Sequence, residues 1–100
     1  MLHIVNKSPF ESSGLESCLR TAQPGAAVLL IEDGVYAATT AVAAQQMRAS
    51  AQASKLHWYA LAPDIEARGM QGRVAEGIEL VDYAGFVDLV TTNNTVQSWL

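Results

Sequence analysis

Short apolar segments alternate along the chain with stretches that have helical spacing. Residues 26–31 form an unbroken apolar run that ends at the sequence EDG. A run without alternation is typical of a strand that is covered on both faces. Further strands are predicted at residues 2–6, 56–61 and 78–81, and the closing segment TVQSWL is a candidate for a last one.

The segment after the first strand predicts a helix with one apolar side. Positions i, i+3, i+4 and i+7 of a single stripe are filled by Leu15, Cys18, Leu19 and Ala22. Ser13 and Glu16 have the spacing of a capping box, in which the serine oxygen accepts a backbone N–H at the start of a helix. Ser8 and Glu11 have the same spacing about one turn earlier, so the pattern leaves the first residue of this helix open.

Three more helices are predicted. Residues 40–51 are rich in alanine and contain no proline or glycine, so small side chains would allow another backbone, in the sheet or in a neighbouring subunit, to approach closely. The segment PDIEARG predicts a short helix with Pro63 in its first turn and Gly69 at its end. A last helix, closed by Asn93 or Asn94, carries apolar residues at helical spacing: Tyr83, Phe86, Val87 and Val90.

This alternation of strands and helices predicts the fold class. Strand–helix–strand connections give a parallel or mostly parallel sheet with right-handed crossovers. One hundred residues have room for one core of useful size. We therefore predict a single α/β domain over residues 1–100, with a flavodoxin-like parallel sheet and helices on both faces.

Composition and charge narrow the function classes. The six basic residues are scattered and the net charge is −4, which argues against binding to nucleic acid or to an anionic membrane. No apolar run is long enough to span a bilayer, the start does not resemble a signal peptide, and one cysteine cannot form an internal disulfide. A cytoplasmic location is the expectation. A chain this short has a thin margin of stability, which favours association with other subunits.

The one cysteine, Cys18, is the main candidate for chemistry. A thiol near a helix N-terminus can be activated as a thiolate. Free cysteine is also among the most buried residue types and then fills a core as a small apolar group. The sequence leaves both alternatives open, because the exposure of the thiol decides between them.

The remaining polar residues do not form a recognisable site. His3 and His57 lie in predicted strands and have no ligand spacing with Cys18, so we expect neither a metal nor another cofactor. Glu32 and Asp33 are adjacent on a segment predicted to be extended, where they would point to opposite faces and could not act as a carboxylate pair. The sequence GMQG, residues 69–72, is interpreted as a loop and not as a phosphate cradle.

Five segments together resemble one family over the whole chain. They are LHIVNKSPFESSGLESCL, VLLIEDGVYAA, PDIEARG, VDYAGFVDLV and TVQSWL, and they resemble the DsrH/TusB family of sulfur-relay subunits. The resemblance implies a DsrEFH-like α/β subunit that joins two related partners, DsrE and DsrF or TusD and TusC, in a heterohexamer. It also implies that the main sulfur-carrying cysteine lies on the DsrE or TusD partner. The complex would pass persulfide sulfur to or from a small carrier of the DsrC or TusE type.

The resemblance covers two branches, and Cys18 bears on the choice. The branch that serves thiolation of a wobble uridine in transfer RNA commonly has an apolar residue at this position. The cysteine therefore favours the branch that oxidises stored sulfur, with Cys18 as a candidate sulfur-carrying catalytic residue. The alternatives are the transfer-RNA relay, a non-catalytic assembly scaffold, and a free-standing small α/β binding protein. Since a single thiol cannot release its sulfur through an internal disulfide, we do not expect the chain to catalyse transfer alone.

Overall fold

The computed structural model describes residues 1–50 and 53–99, which contain a five-stranded parallel sheet. The strands are β1 (Leu2–Val5), β2 (Ala27–Leu30), β3 (His57–Leu61), β4 (Ile78–Val81) and β5 (Val96–Trp99). The helices are α1 (Gly14–Thr21), α2 (Thr40–Ala49), α3 (Ala62–Ala67) and α4 (Tyr83–Thr92), with 3-10 segments at Glu32–Ala38 and Ala53–Lys55. The predicted α/β class is confirmed.

The order of the strands determines which face each helix covers. Across the sheet the order is β4-β3-β2-β1-β5, which differs from the flavodoxin order 2-1-3-4-5. The chain adds β2, β3 and β4 in one direction and then returns across the whole sheet to place β5 beside β1. Because parallel crossovers are right-handed, steps in one direction put their helices on one face and a reverse step uses the other face. Helices therefore cover both faces, as predicted, but α4 lies alone on its face.

The face that carries α1, α2 and α3 holds the larger core. Val28 and Leu30 of β2 point to this face, since alternate residues of a strand share a side. Cys18 of α1, Val35 of the first 3-10 segment and Ile65 of α3 belong to the same buried cluster. All four residues of the predicted α1 stripe are buried, so that prediction is confirmed.

The opposite face has a smaller core under α4. Its fully buried residues include Leu2 and Leu29, and Phe86 and Leu89 of α4 pack against them. A helix with its side chains is about 10–12 Å across, whereas five strands span roughly 19 Å from edge to edge. A single helix therefore leaves part of this face uncovered.

The start of α1 differs from the capping-box prediction. The helix begins at Gly14, and the Ser13 side chain accepts no hydrogen bond from it. Instead, the Ser12 hydroxyl oxygen accepts the Gly14 N–H at 3.1 Å, and the Ser8 hydroxyl oxygen accepts the Phe10 N–H at 3.2 Å. The serines before the helix therefore organise the loop after β1, and the capping box is wrong.

The Ala-rich helix is found where the sequence placed it. α2 covers Thr40–Ala49, and residue 51 of the predicted helix lies outside the described residues. The Thr40 N–H donates to the Arg73 carbonyl at 3.0 Å, and the Ala75 N–H donates to the Ala38 carbonyl at 2.9 Å. These bonds hold the loop that follows α3 against the start of α2.

The C-terminal segment is a strand of the chain's own sheet. β5 pairs in parallel with β1, and the Trp99 indole N–H donates to His3 Nδ1 at 3.1 Å. His3 is buried, and burial lowers the pKa of its imidazole, which keeps the Nδ1 acceptor unprotonated near neutral pH. The candidate last strand is therefore confirmed as a strand of the chain's own sheet, while Leu100 lies outside the described residues.

Gly34, in the segment after β2, lies directly against the backbone of Val5 at the end of β1. A Cβ at this residue would overlap the Val5 carbonyl oxygen and lie 2.9 Å from its carbonyl carbon. Backbone cannot withdraw from such an overlap as a flexible side chain can. The segment after β2 therefore packs on the end of β1 only because residue 34 is glycine.

Substitution of Gly34 tests this packing. We expect Gly34→Ala to lower the free energy of unfolding by about 3 kcal/mol or more, because the new methyl group must displace the backbone of β1. Gly72→Ala is the matched control, since a Cβ there meets nothing within 4 Å, and a change within about 0.5 kcal/mol is expected. Urea denaturation of the three proteins measures both values, and equal stability of the two variants would contradict this packing.

Candidate functional site

Cys18 lies in the core and not at an accessible edge. Its exposed fraction is 0%, and it shares a buried cluster with Leu15 and Leu19 of the same helix. Because α1 begins at Gly14, the thiol is little more than one turn from the helix N-terminus. The nearby helix N-terminus favours the thiolate, whereas burial of the side chain opposes it.

Desolvation outweighs the helix dipole at Cys18. Burial raises the pKa of the Cys18 thiol from its ordinary 9.0 to about 12, which corresponds to roughly 4 kcal/mol against the thiolate. A helix N-terminus contributes about 0.3–1 kcal/mol in the other direction. The thiol is therefore protonated at neutral pH and out of reach of a persulfide, whose transfer needs an accessible thiolate.

A polar cluster lies at the carboxyl ends of β2 and β3, with Arg68 at its centre. The Arg68 Nη2 and Nε atoms both donate to Asp33 Oδ1, at 2.8 and 3.2 Å, and Nη1 donates to the Asp64 carbonyl at 3.1 Å. The guanidinium carbon is 6.0 Å from the centre of the Tyr36 ring. The hydrogen bond to Asp33 raises the pKa of Arg68, so the group is a permanent cation.

The acidic pair after β2 has a different geometry from the predicted one. Glu32 is not extended: its φ of 50° is in the left-handed region, and it opens the 3-10 segment. Its N–H donates to Asp64 Oδ2 at 2.6 Å, a charge-assisted bond that offsets the strain of roughly 1–2 kcal/mol. The prediction that Glu32 and Asp33 lie on an extended segment is therefore wrong, because the chain turns as soon as it leaves β2.

The Arg68 cluster fixes the loop after β2 against α3. Asp33 and Asp64 both lie within ion-pair distance of the Arg68 guanidinium, at 2.8 and 4.0 Å, so both carboxylates take part in structural contacts. The i,i+4 spacing of Asp64 and Arg68 is visible in the sequence. The contact of Arg68 with Asp33 is not visible in the sequence, since it joins residues more than thirty positions apart.

The two histidines have separate positions. His3 is buried against Trp99, whereas His57 is exposed at the start of β3. Within residues 1–50 and 53–99, no three His, Cys, Asp or Glu side chains are placed to share a metal ion. Over the same residues, no helix has the length and apolar character needed to cross a membrane.

Two grooves flank α2. A groove of about 240 Å³ lies between α2 and the edge of the sheet, lined mainly by apolar side chains that include Ala43, Trp58 and Ile78. A second, of about 470 Å³, lies between α1 and α2 and includes Leu19 and Gln45. The small side chains of α2 leave these spaces open, and the lining residues do not include the Arg68 cluster.

The accessibility of the thiol is directly testable. We expect Cys18 in the folded protein at pH 7.5 to react with iodoacetamide at least about 100-fold more slowly than in urea, because it is buried and protonated. A Ser54→Cys,Cys18→Ala double variant, with its cysteine at an exposed position, provides the labelling control. Mass spectrometry follows both reactions, and labelling of native Cys18 at the control rate would contradict its burial.

Known proteins match the chain over nearly its full length. The family model described as DsrH like protein matches residues 7–96. Protein TusB of Pectobacterium parmentieri is 35% identical over 99 residues, which cover 99% of this chain and 100% of that protein. Protein TusB of Escherichia coli (strain K12) is 33% identical with the same coverage.

Solved structures agree on the fold. The ychN protein of E. coli has a TM-score of 0.76 at 18% identity, with 97% of each chain covered. A protein of unknown function from Methanobacterium thermoautotrophicum has a TM-score of 0.70 at 17% identity, covering 97% of this chain and 95% of that one. These structures show a shared fold, and the family match with the full-length relatives shows the family: the chain belongs to the DsrH-like family.

Proposed function

We propose that this chain is a subunit of a sulfur-relay complex that serves thiolation of a wobble uridine in transfer RNA. The observation that carries the proposal is the 33–35% identity to TusB proteins over 99% of the chain. On this proposal its partners are two fold-related subunits of the TusC and TusD type and a small sulfur carrier of the TusE type. The complex would work in the cytoplasm.

The environment of Cys18 bears on the choice of branch. The sulfur-oxidising branch was favoured because a cysteine replaces an apolar residue at this position. A fully buried cysteine with a pKa of about 12 packs as an apolar residue would, so it does not distinguish the two branches. The full-length TusB relatives then favour the transfer-RNA relay over sulfur oxidation.

On this proposal a partner subunit carries the sulfur and this chain has a structural role. Sulfur transfer requires an accessible thiolate that attacks a persulfide sulfur and releases a thiol. The chain's only cysteine is buried, so the sulfur-carrying thiol is assigned to a partner subunit. This chain then contributes structure to the complex, with Cys18 as part of its core.

Sulfur oxidation is the second candidate, supported by the match to the DsrH model over residues 7–96. The two candidates share the same assembly and differ in the acceptor of the sulfur. Deletion of the gene therefore affects thiolated transfer RNA in one case and consumption of stored sulfur in the other.

Deletion and replacement at the native locus test the proposal. We expect deletion to remove most of the thiolated wobble uridine from transfer RNA, and Cys18→Ala to retain it within about twofold of wild type, because a buried core residue carries no sulfur. Mass spectrometry of the nucleosides gives both values. Unchanged thiolation after deletion would contradict the proposed function. Loss with Cys18→Ala, with the protein still folded and abundant, would contradict the packing role.

A further inference from the structure

Helix α4 carries apolar side chains on two sides. Phe86 and Leu89 pack onto the sheet, while Tyr83, Val87 and Val90 face outward with exposed fractions of 62%, 58% and 37%. The three outward residues have i, i+4, i+7 spacing and therefore form one stripe, called here the outer stripe of α4. A helix that is apolar on both sides is typical of one that is buried between two layers.

The outer stripe belongs to the less covered face of the sheet. Val96 of β5 is in register with Leu2 and lies on this same face, where its side chain is also exposed. The three residues of the stripe expose roughly 300 Å² of side chain, which is the size of a functional apolar patch. A stable interface needs about 800 Å² from each partner, so the stripe is suited to be its centre, with Val96 and neighbouring surface at the margin.

Charge decides what kind of helix fits the stripe. Asp88, beside Val87 and exposed, is the only charged residue of Tyr83–Thr92. Among the described residues it has no ion-pair partner, and its place in the second half of the helix is unfavourable for a negative charge. Packing two copies of α4 on each other would bring two such carboxylates together without a basic residue on either helix. A different chain with a basic side chain opposite Asp88 is the complementary partner.

We propose that the outer stripe of α4 docks an apolar helix of a fold-related partner subunit that carries a basic side chain opposite Asp88. This inference rests on the proposed function, since the relay supplies partners of this kind. The proposed interface lies on the face of the sheet opposite Cys18. This is the face that the right-handed crossovers leave with a single helix.

Co-expression with the TusC-type and TusD-type subunits of the same organism tests the surface. We expect Val87→Asp to weaken association at least about 30-fold, as at the centre of an interface, and Asp88→Lys to weaken it about 10-fold. Leu80→Asp is the matched control, because Leu80 is an exposed apolar residue that points to the opposite face, and it should assemble as wild type does. Sedimentation of the purified mixtures gives stoichiometry and affinity.

The outcomes separate the two proposals. Failure of the wild-type chain to join these subunits would contradict the proposed function. If the wild-type chain assembles and Val87→Asp assembles equally well, the outer stripe is not the interface, and the proposed function is unaffected. The same conclusion follows if Leu80→Asp weakens assembly as much as Val87→Asp does. If this chain forms a homodimer and Val87→Asp dissociates it, the partner is a second copy, and the choice of a different chain as partner is overturned.

Thiol labelling provides a second measurement if Val87→Asp fails to fold. Val87→Cys in a Cys18→Ala background places the single thiol of this chain in the stripe, at an exposed position. We expect a maleimide to label it in the assembled complex at least about 10-fold more slowly than in the folded chain without its partners, because a partner helix covers it in the complex. Equal rates would overturn the assignment.

Discussion

Right-handed crossovers, combined with the order β4-β3-β2-β1-β5, determine how the whole molecule is layered. Three successive steps in one direction require α1, α2 and α3 on one face. The single return step leaves α4 to cover the other face alone. The face that three helices cover holds the larger core, the buried Cys18 thiol and the closely packed Gly34. The face that one helix covers carries the exposed outer stripe of α4.

Cys18 shows how environment decides the role of a residue. The same side chain, close to the same helix N-terminus, would ionise more readily if water reached it. Burial opposes ionisation by several times the energy that the helix end can supply. The proposed division of labour in the relay, with the thiol on a partner and structure on this chain, depends on that difference.

The local elements of the fold could be predicted from the sequence, and the contacts between distant segments could not. Ile78–Val81 has the predicted bounds, and the α1 stripe is buried as its spacing indicates. The Arg68–Asp33 pair, the strand order and the turn at Glu32 depend on segments that meet only in the folded chain. In α4 the helical spacing was correct, but periodicity does not say that Phe86 points inward while Val87 points outward.

The central claim, that this subunit contributes surface and core but no sulfur-carrying thiol, is tested most directly by intact-mass analysis of the assembled complex. The complex is treated with a persulfide donor, and each subunit is weighed separately. The account predicts a one-sulfur adduct on a partner subunit and none on this chain, whose only thiol is buried. An adduct on this chain that Cys18→Ala abolishes would contradict it.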